Sequence, residues 1–385
     1  MPTVFRHVLE MSSVMNHPAK PVRCPLCSET HLDIKSVPYP LFRHIDFSVF
    51  QPGPHRIGRC STCGLVFRVV DDADQREIDA IYRSEEYVKH EEPHTLILKG
   101  RDEPVPLPRV QAEILAPLLN VPAPSVLDIG CFDGQLLSEI RKICNASDLC
   151  GFDVGERPQF PREQPFRLVS GRLSEVSGSF DLITLSHSIQ YVRNIHALFG
   201  DIRKLLKPDG KIFIQAPDFS VKPASLLLGD LYYHYTRETV DNILRHMGFQ
   251  SRFLEIDYFP RDILVVATRG IQDRSEYAVT VDKLGAGLAR LAELGQHLQQ
   301  VATTETAGVL GTTIDAAFAD ECLGSRAAFF VDENPRKVGT TFHRKPVIHP
   351  RFVADDNVVL IPMGIAGEAI RDRLSKQYRG HYRCV

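Results

Sequence analysis

The sequence has almost no excess of charge of either sign. Its 45 Lys plus Arg stand against 48 Asp plus Glu, a formal net charge of −3 over 385 residues. A pI near 6.6 argues against nucleic acid as a partner gripped by a broad basic face. Long apolar runs are missing too. The longest, around Val358–Gly364, falls far short of the ~18 residues a membrane span needs, so no membrane contact is expected. The first residues lack the apolar core of roughly 7–15 residues that marks a secretory signal. A cytoplasmic protein is therefore the default expectation. Nine cysteines are too few for a disulfide scaffold. What remains, 43% hydrophobic and 24% charged, is an ordinary folded composition. It excludes a disordered chain, a collagen and a coiled coil. The length suits two or three domains of roughly 100–200 residues each.

The few cysteines are unevenly placed. Four form two Cys-x-x-Cys pairs, Cys24/Cys27 and Cys60/Cys63, and the other five are scattered. In a reducing compartment such pairs read as metal ligands rather than disulfides. Two knuckles can supply four thiolates in a tetrahedron, the arrangement structural zinc prefers. Gly64, just after the second pair, allows a tight turn that aims N–H groups at sulfur. Four protein ligands close the site, so a structural rather than a catalytic zinc is expected.

Further along, the pattern becomes alternating β and α. Strands are expected at Ser125–Ile129, Leu149–Asp153, Phe180–Ser186 and Lys211–Gln215, with helices at Gln135–Cys144 and His196–Leu206. A helix should start near Thr236, a good N-cap, and stop at Gly248. Strands Ser251–Ile256 and Asp262–Thr268 have a short link, which suits an antiparallel hairpin at a sheet edge. This alternation predicts an α/β, doubly wound sheet. After Gly270, apolar residues step by three or four from Val281 to Val301, an amphipathic helix, and β/α alternation then resumes in a second, smaller unit.

The turn after Ser125–Ile129 carries the chemistry. Asp128, Gly130, Asp133 and Gly134 do not fit the Gly-x-Gly-x-x-Gly fingerprint, which brings amides to a pyrophosphate. Carboxylates at this turn suit a cationic ligand without phosphate. S-adenosylmethionine, with an ammonium and a sulfonium, is one. Asp153 ends the next expected strand, where a carboxylate could accept both hydroxyls of a ribose.

With these residues in place, the stretch ~116–270 resembles the class I S-adenosylmethionine-dependent methyltransferases. Matching features are Ser179–Ile183, Leu205–Gly210 and Met247–Phe249. The resemblance implies that Asp128, Gly130 and Gly134 lie against the methionine end of the cofactor and that Asp153 holds its ribose. The whole order resembles the C-methyltransferases of nucleotide-linked deoxysugars: zinc knuckles, methyltransferase, then a C-terminal α/β unit with Gly308–Gly311 and Asp332, Asn334, Lys337 and Gly339. It implies four segments: a zinc-binding domain (1–75), a helical linker (76–115), the methyltransferase domain (116–270) and a Rossmann-like substrate domain (271–385). The expected partner is a small-molecule acceptor, a nucleotide-linked sugar; an O- or N-methyltransferase on another small metabolite is the alternative. Where the sugar enzymes carry a Glu-His pair, this sequence has Asp230 and Leu231.

Three residues are the expected catalytic group. His234 and Tyr233 fall between the fifth strand and the next helix, read as a loop over the strands' C-terminal edge. His187 lies just past the fourth strand. A histidine there could act as general base, because its pKa lies near neutral. In the C-terminal unit, Arg336, Lys337, Arg344 and Lys345 could meet a diphosphate.

Overall fold

The computed structural model describes residues 22–82, 84, 95, 96, 98, 104–146, 148–155, 166–270, 277, 281–301 and 306–385. Residues 1–21 of the segment read as a zinc-binding domain, and most of the expected helical linker between 83 and 103, lie outside the described residues.

Strands β1 (Leu32–Val37), β2 (His55–Cys60) and β3 (Val66–Arg68) pair antiparallel. Helix α1 (Asp72–Tyr82) follows. Asp72 and Asp74 in its first turn suit the positive end of the helix dipole, and Ile78 and Ile81 are buried.

The central sheet is built from β4 (Ser125–Ile129), β5 (Asp148–Asp153), β6 (Arg167–Ser170), β7 (Phe180–Ser186) and β8 (Leu206–Pro217). It is joined, after a short strand β9 (Tyr233–His234), by β10 (Phe249–Phe253) and β11 (Asp262–Arg269). The order is β6-β5-β4-β7-β8-β11-β10. The first five strands are parallel, and β11 runs antiparallel to both neighbours. The edge hairpin expected from the short link around Pro260 is present as β10–β11.

Both faces of this sheet are covered, which is why its strands are apolar throughout rather than alternating. Leu127, Ile183, Ile212 and Ile214 point into one core. Val126, Leu182, Phe213 and Leu264 point into the other, against helices α2 (Leu107–Leu115) and α3 (Gln135–Ile143). Leu137 and Ile140 of α3 are fully buried, each stabilising by about 1.5–3 kcal/mol. Helix α2 packs on α3, and Gln111 Nε2 donates to Gln215 Oε1 at 2.9 Å. The segment read as linker up to 115 thus closes the central unit. Helix α4 (Ile195–Leu205) is capped by Asn194, whose side chain accepts from the Ala197 N–H. Helix α5 (Arg237–His246) is capped by Thr236 as its sequence predicts, and Gly248 (φ 77°) follows its end.

One expectation needs correction. The segment around Tyr232–Tyr235 is not a loop over the sheet edge. Tyr233 and His234 form β9, which pairs antiparallel with β3. The first sheet therefore runs β1-β2-β3-β9, its last strand supplied from beyond β8. Burial on both faces explains this: Tyr232, Tyr233, His234 and Tyr235 are all buried, and Tyr233 and Tyr235 are among the largest fully buried side chains.

Helix α6 (Lys283–Val301) leads into the last unit. Strands β12 (Ala307–Leu310), β13 (Ala327–Val331), β14 (Thr341–Phe342), β15 (Lys345–Ile348), β16 (Val358–Ile361) and β17 (His381–Cys384) take the order β14-β15-β13-β12-β16-β17. Helices α7 (Ile314–Leu323) and α8 (Gly367–Gln377) connect them. No helix among the described residues is long and apolar enough to cross a membrane.

Candidate active site and four-thiol centre

The turn after β4 is held from below and above. Asp128 is buried in register with Thr184 of β7, whose Oγ1 donates to its Oδ1 at 2.6 Å. Burial pushes its pKa up to about 7; the Thr184 bond opposes this, and the nearby Asp153 and Asp133 add to it. Gly130 (φ 78°) and Gly134 (φ 73°) adopt left-handed backbone, which favours glycine. A Cβ on Gly130 would fall 2.5 Å from Ser188 Cβ, and one on Gly134 would fall 2.4 Å from the Phe166 ring. The end of β5 closes the turn, because Phe132 N–H donates to Asp153 Oδ2 at 3.0 Å. Asp153 Oδ1 accepts from Gly155 N–H at 3.4 Å. Asp128, Gly130, Gly134 and Asp153 are thus brought together. Three crowded carboxylates are a place where a cation is favoured, so these residues fit S-adenosylmethionine.

His187 sits at the end of β7 with φ 53°, a conformation uncommon for histidine. The next residue, Ser188, packs on Gly130, and its Oγ donates to Ile129 O at 2.6 Å. His187 is thereby fixed beside the cofactor turn. Its Nε2 stands 3.3 Å from Asp262 Oδ2. Gln215 Nε2 donates to the same oxygen at 2.8 Å. Burial alone would raise Asp262, but His187, Gln215 and the Lys222 charge outweigh it and hold the carboxyl below its usual range. Sequence reasoning missed Asp262. It lies 75 positions from His187, and only the antiparallel insertion of β11 beside β8 brings it to the same edge.

The other two expected catalytic residues lie elsewhere. His234 is 3% exposed. Burial, then the neighbouring His55 and Arg68, drives its pKa down to about 3. Tyr233 is buried, with its hydroxyl donating to Arg193 O at 2.7 Å. Burial raises its pKa. Neither is brought together with His187 by any hydrogen bond among the described residues.

Asp230 occupies a junction. Its Oδ2 accepts from the Tyr82 hydroxyl at 2.9 Å and from His44 N–H at 3.4 Å. Its Oδ1 has no hydrogen-bond partner among the described residues. Burial raises its pKa to about 6, against the pull of those bonds and of Arg68. The Tyr191 ring lies 5.6 Å from Tyr82 and 5.7 Å from His44. The sequence placed Asp230 at a catalytic position by resemblance alone; nothing in it pointed to Tyr82.

The four cysteines converge. Their sulfurs all lie within 4.8 Å of one another. Cys24–Cys63 and Cys27–Cys60 are 3.5 Å apart, and Cys27–Cys63 3.6 Å. Tetrahedral zinc at ~2.3 Å from each sulfur requires ~3.8 Å between sulfurs, so the set fits that ion closely. The thiols of Cys24, Cys27 and Cys63 are raised, while Cys60 is drawn down by bonds from Cys24 and Cys63. Crowded thiolates need a cation to ionise together. The centre is tied to the central unit by Asn242 Nδ2, which donates to Cys63 O at 3.0 Å, and by His196 Nε2, 2.8 Å from Leu26 O.

Of the four C-terminal cations expected near a diphosphate, two are occupied within the fold. Lys337 Nζ donates to Thr312 Oγ1 at 2.6 Å. Lys345 bonds Asp320 Oδ1 and, at 2.8 Å, Gly324 O.

Residues 105–253 match the family model of a methyltransferase domain. No curated protein sequence matches the chain. Among solved structures, a methyltransferase from Mesorhizobium loti is 21% identical over 41% of this chain and 96% of its own, with a TM-score of 0.34. The pyocyanin biosynthetic protein PhzM is 22% identical over 41% of this chain and 54% of its own, with a TM-score of 0.36. Human N-acetylserotonin methyltransferase is 16% identical over 42% and 52%, with a TM-score of 0.36. The chain spans about half the length of the last two proteins. The family match lies on the acid-bearing turn and sheet described above, so residues 105–253 carry a methyltransferase-like domain.

Proposed function

We propose that the chain methylates a small-molecule acceptor, a nucleotide-linked sugar, at a carbon beside a carbonyl, with His187 as general base. The observation that carries this reading is the His187–Asp262 pair at 3.3 Å, set beside the Gly130 turn by Ser188. Asp262 faces Nε2 and favours the tautomer with its proton there, which leaves Nδ1 to take the acceptor's proton. The cofactor supplies an electrophilic methyl on a sulfonium, a good leaving group. The residues of this chain therefore mainly orient reactants and remove one proton. As that proton moves to His187, the acceptor carbon forms its bond to the methyl, and the C–S electron pair stays on sulfur. Four gathered thiols, the methyltransferase domain and a C-terminal unit with Gly311 and Asp332 at its strand ends support the sugar reading. The thiols hold one structural zinc.

Asp230 is the alternative reading for the base, favoured by its Oδ1, unpartnered among the described residues, and its pKa near 6. The test is single-turnover methyl transfer from S-adenosylmethionine to a panel of nucleotide-linked keto sugars and free alcohols and amines, read by mass. Methylation of a sugar carbon, lost in His187→Gln and retained in Asp230→Asn, is expected. Transfer only to alcohols or amines would replace the acceptor, and a rate lost only in Asp230→Asn would replace the base.

A further inference from the structure

We propose that Lys222 is the anion-binding residue of the acceptor site, contacting a phosphate of a nucleoside diphosphate where the carboxyl ends of the central and C-terminal sheets approach one another. The proposal rests on the nucleotide-linked reading above and names the residue that recognises the diphosphate.

Lys222 lies five residues past the end of β8. Its N–H donates to Asp218 O at 2.8 Å, and it opens the turn Pro223–Leu227, which packs on α6 and α7. The preceding Val221 carbonyl lies 3.8 Å from where a Gly364 Cβ would stand, just past the end of β16. Asp262, at the start of β11, and Asp315, in the first turn of α7, both act on the Lys222 charge. Lys222 is therefore close to the carboxyl ends of both parallel sheets. Ligands of open α/β sheets bind there, and clefts between domains are a usual place for small molecules.

Among the described residues, the charges around it are already matched, and Lys222 is left over. Arg261 Nη2 donates to Asp315 Oδ2 at 2.5 Å, joining the two units. Asp262 is engaged by His187 at 3.3 Å and by Gln215 at 2.8 Å. The Lys222 ammonium makes no hydrogen bond or ion pair with a described residue, although it feels both carboxylates. It is partly buried, and burial holds its pKa below the usual lysine value. A half-buried ammonium without a partner is poorly compensated, and a phosphate supplies the charge and acceptor oxygens it lacks. Lys337 and Lys345, the cations first expected in this role, already spend their donors inside the C-terminal unit. The methionine carboxylate of the cofactor carries related chemistry, so the test must separate the two.

Calorimetry on the full chain would use inorganic pyrophosphate, uridine diphosphate and S-adenosylmethionine as separate probes, with wild type, Lys222→Met and Lys222→Arg. Uridine diphosphate should bind the wild type, and pyrophosphate more weakly. Both should lose about tenfold or more in Lys222→Met and stay within about threefold in Lys222→Arg. Unchanged S-adenosylmethionine affinity in both variants is expected and reports that they fold. Equal diphosphate binding in wild type and Lys222→Met would overturn the proposal. So would the absence of diphosphate binding at millimolar concentration, or a loss confined to S-adenosylmethionine. If diphosphate binding depends on Lys222 but no nucleotide-linked sugar is methylated, the acceptor assignment fails and the anion site stands.

Discussion

His187 and Asp262 meet at 3.3 Å although β7, which ends at Ser186, and β11, which starts at Asp262, are separated in the sheet by β8. The carboxylate reaches across the end of β8, where Gln215 holds the same oxygen. This pair gives the histidine a fixed ring and a preferred tautomer. Asp262→Asn should lower methyl transfer by about 10–10³-fold, and His187→Gln by about 10²–10⁴-fold, with cofactor affinity kept. The double variant should be no slower than His187→Gln alone. Independent, multiplying losses in rapid-quench turnover would show that the two residues do not act together.

The cofactor turn depends on space as much as on charge. Gly130→Ala forces a side chain onto left-handed backbone and against Ser188 Cβ at 2.5 Å. A stability loss of about 1–3 kcal/mol is expected, with a larger fractional loss of S-adenosylmethionine affinity. Denaturant titration and calorimetry measure the two. Wild-type affinity in the alanine variant would remove the turn from the cofactor site.

Asp153→Ala should weaken S-adenosylmethionine by about 1–3 kcal/mol, the cost of charged hydrogen bonds to a ribose diol. Part of that loss is structural, because Phe132 N–H also loses its acceptor. Asp153→Asn keeps an acceptor for Phe132 and separates the two contributions. S-adenosylmethionine should still bind more tightly than NAD to the wild type, and the reverse preference in calorimetry would contradict the assignment.

Asp230 makes stability depend on pH. Its folded pKa, near 6, is above the unfolded value of ~3.9. The folded chain therefore holds the extra proton between these values, and stability falls as pH rises through that window. Two units correspond to about 3 kcal/mol at most, an order of magnitude for a buried group. Asp230→Asn should raise the melting temperature relative to wild type at pH 8 and give little gain at pH 4. A variant less stable at both values would mean that the Tyr82 and His44 bonds outweigh the burial of charge.

Metal analysis of protein purified without chelator should find one zinc per chain, lost in a Cys24→Ser/Cys27→Ser variant. The β3–β9 pairing and the Asn242–Cys63 bond tie the thiol centre to the methyltransferase domain. Loss of the metal should therefore lower the melting temperature of the whole chain in one transition. A separate, low-temperature transition of residues 22–70, leaving the rest unchanged, would show that the first sheet stands alone.

The local chemistry was readable from the sequence because it is local. Cys24/Cys27 and Cys60/Cys63 repeat a two-residue spacing, and Asp128, Gly130 and Gly134 sit on one turn between a strand and a helix. Thr236 caps its helix through a neighbour three residues away. The alternation that builds the central sheet spans single β/α units, so its seven strands were largely legible too. Partnerships between distant segments were not, since a sequence pattern records which face is apolar but not what covers it. Tyr233 and His234 read as an aromatic loop and became a strand of the first sheet, because their partner β3 lies some 165 positions away. Separations of 75, 148 and 54 positions likewise hid Asp262 from His187, Tyr82 from Asp230 and Asp315 from Arg261. Lys222 carries no signal in the sequence, and only the fold leaves its half-buried ammonium near Asp262 and Asp315 without a partner among the described residues. Tertiary packing alone decides which charges are satisfied and which are left for a ligand.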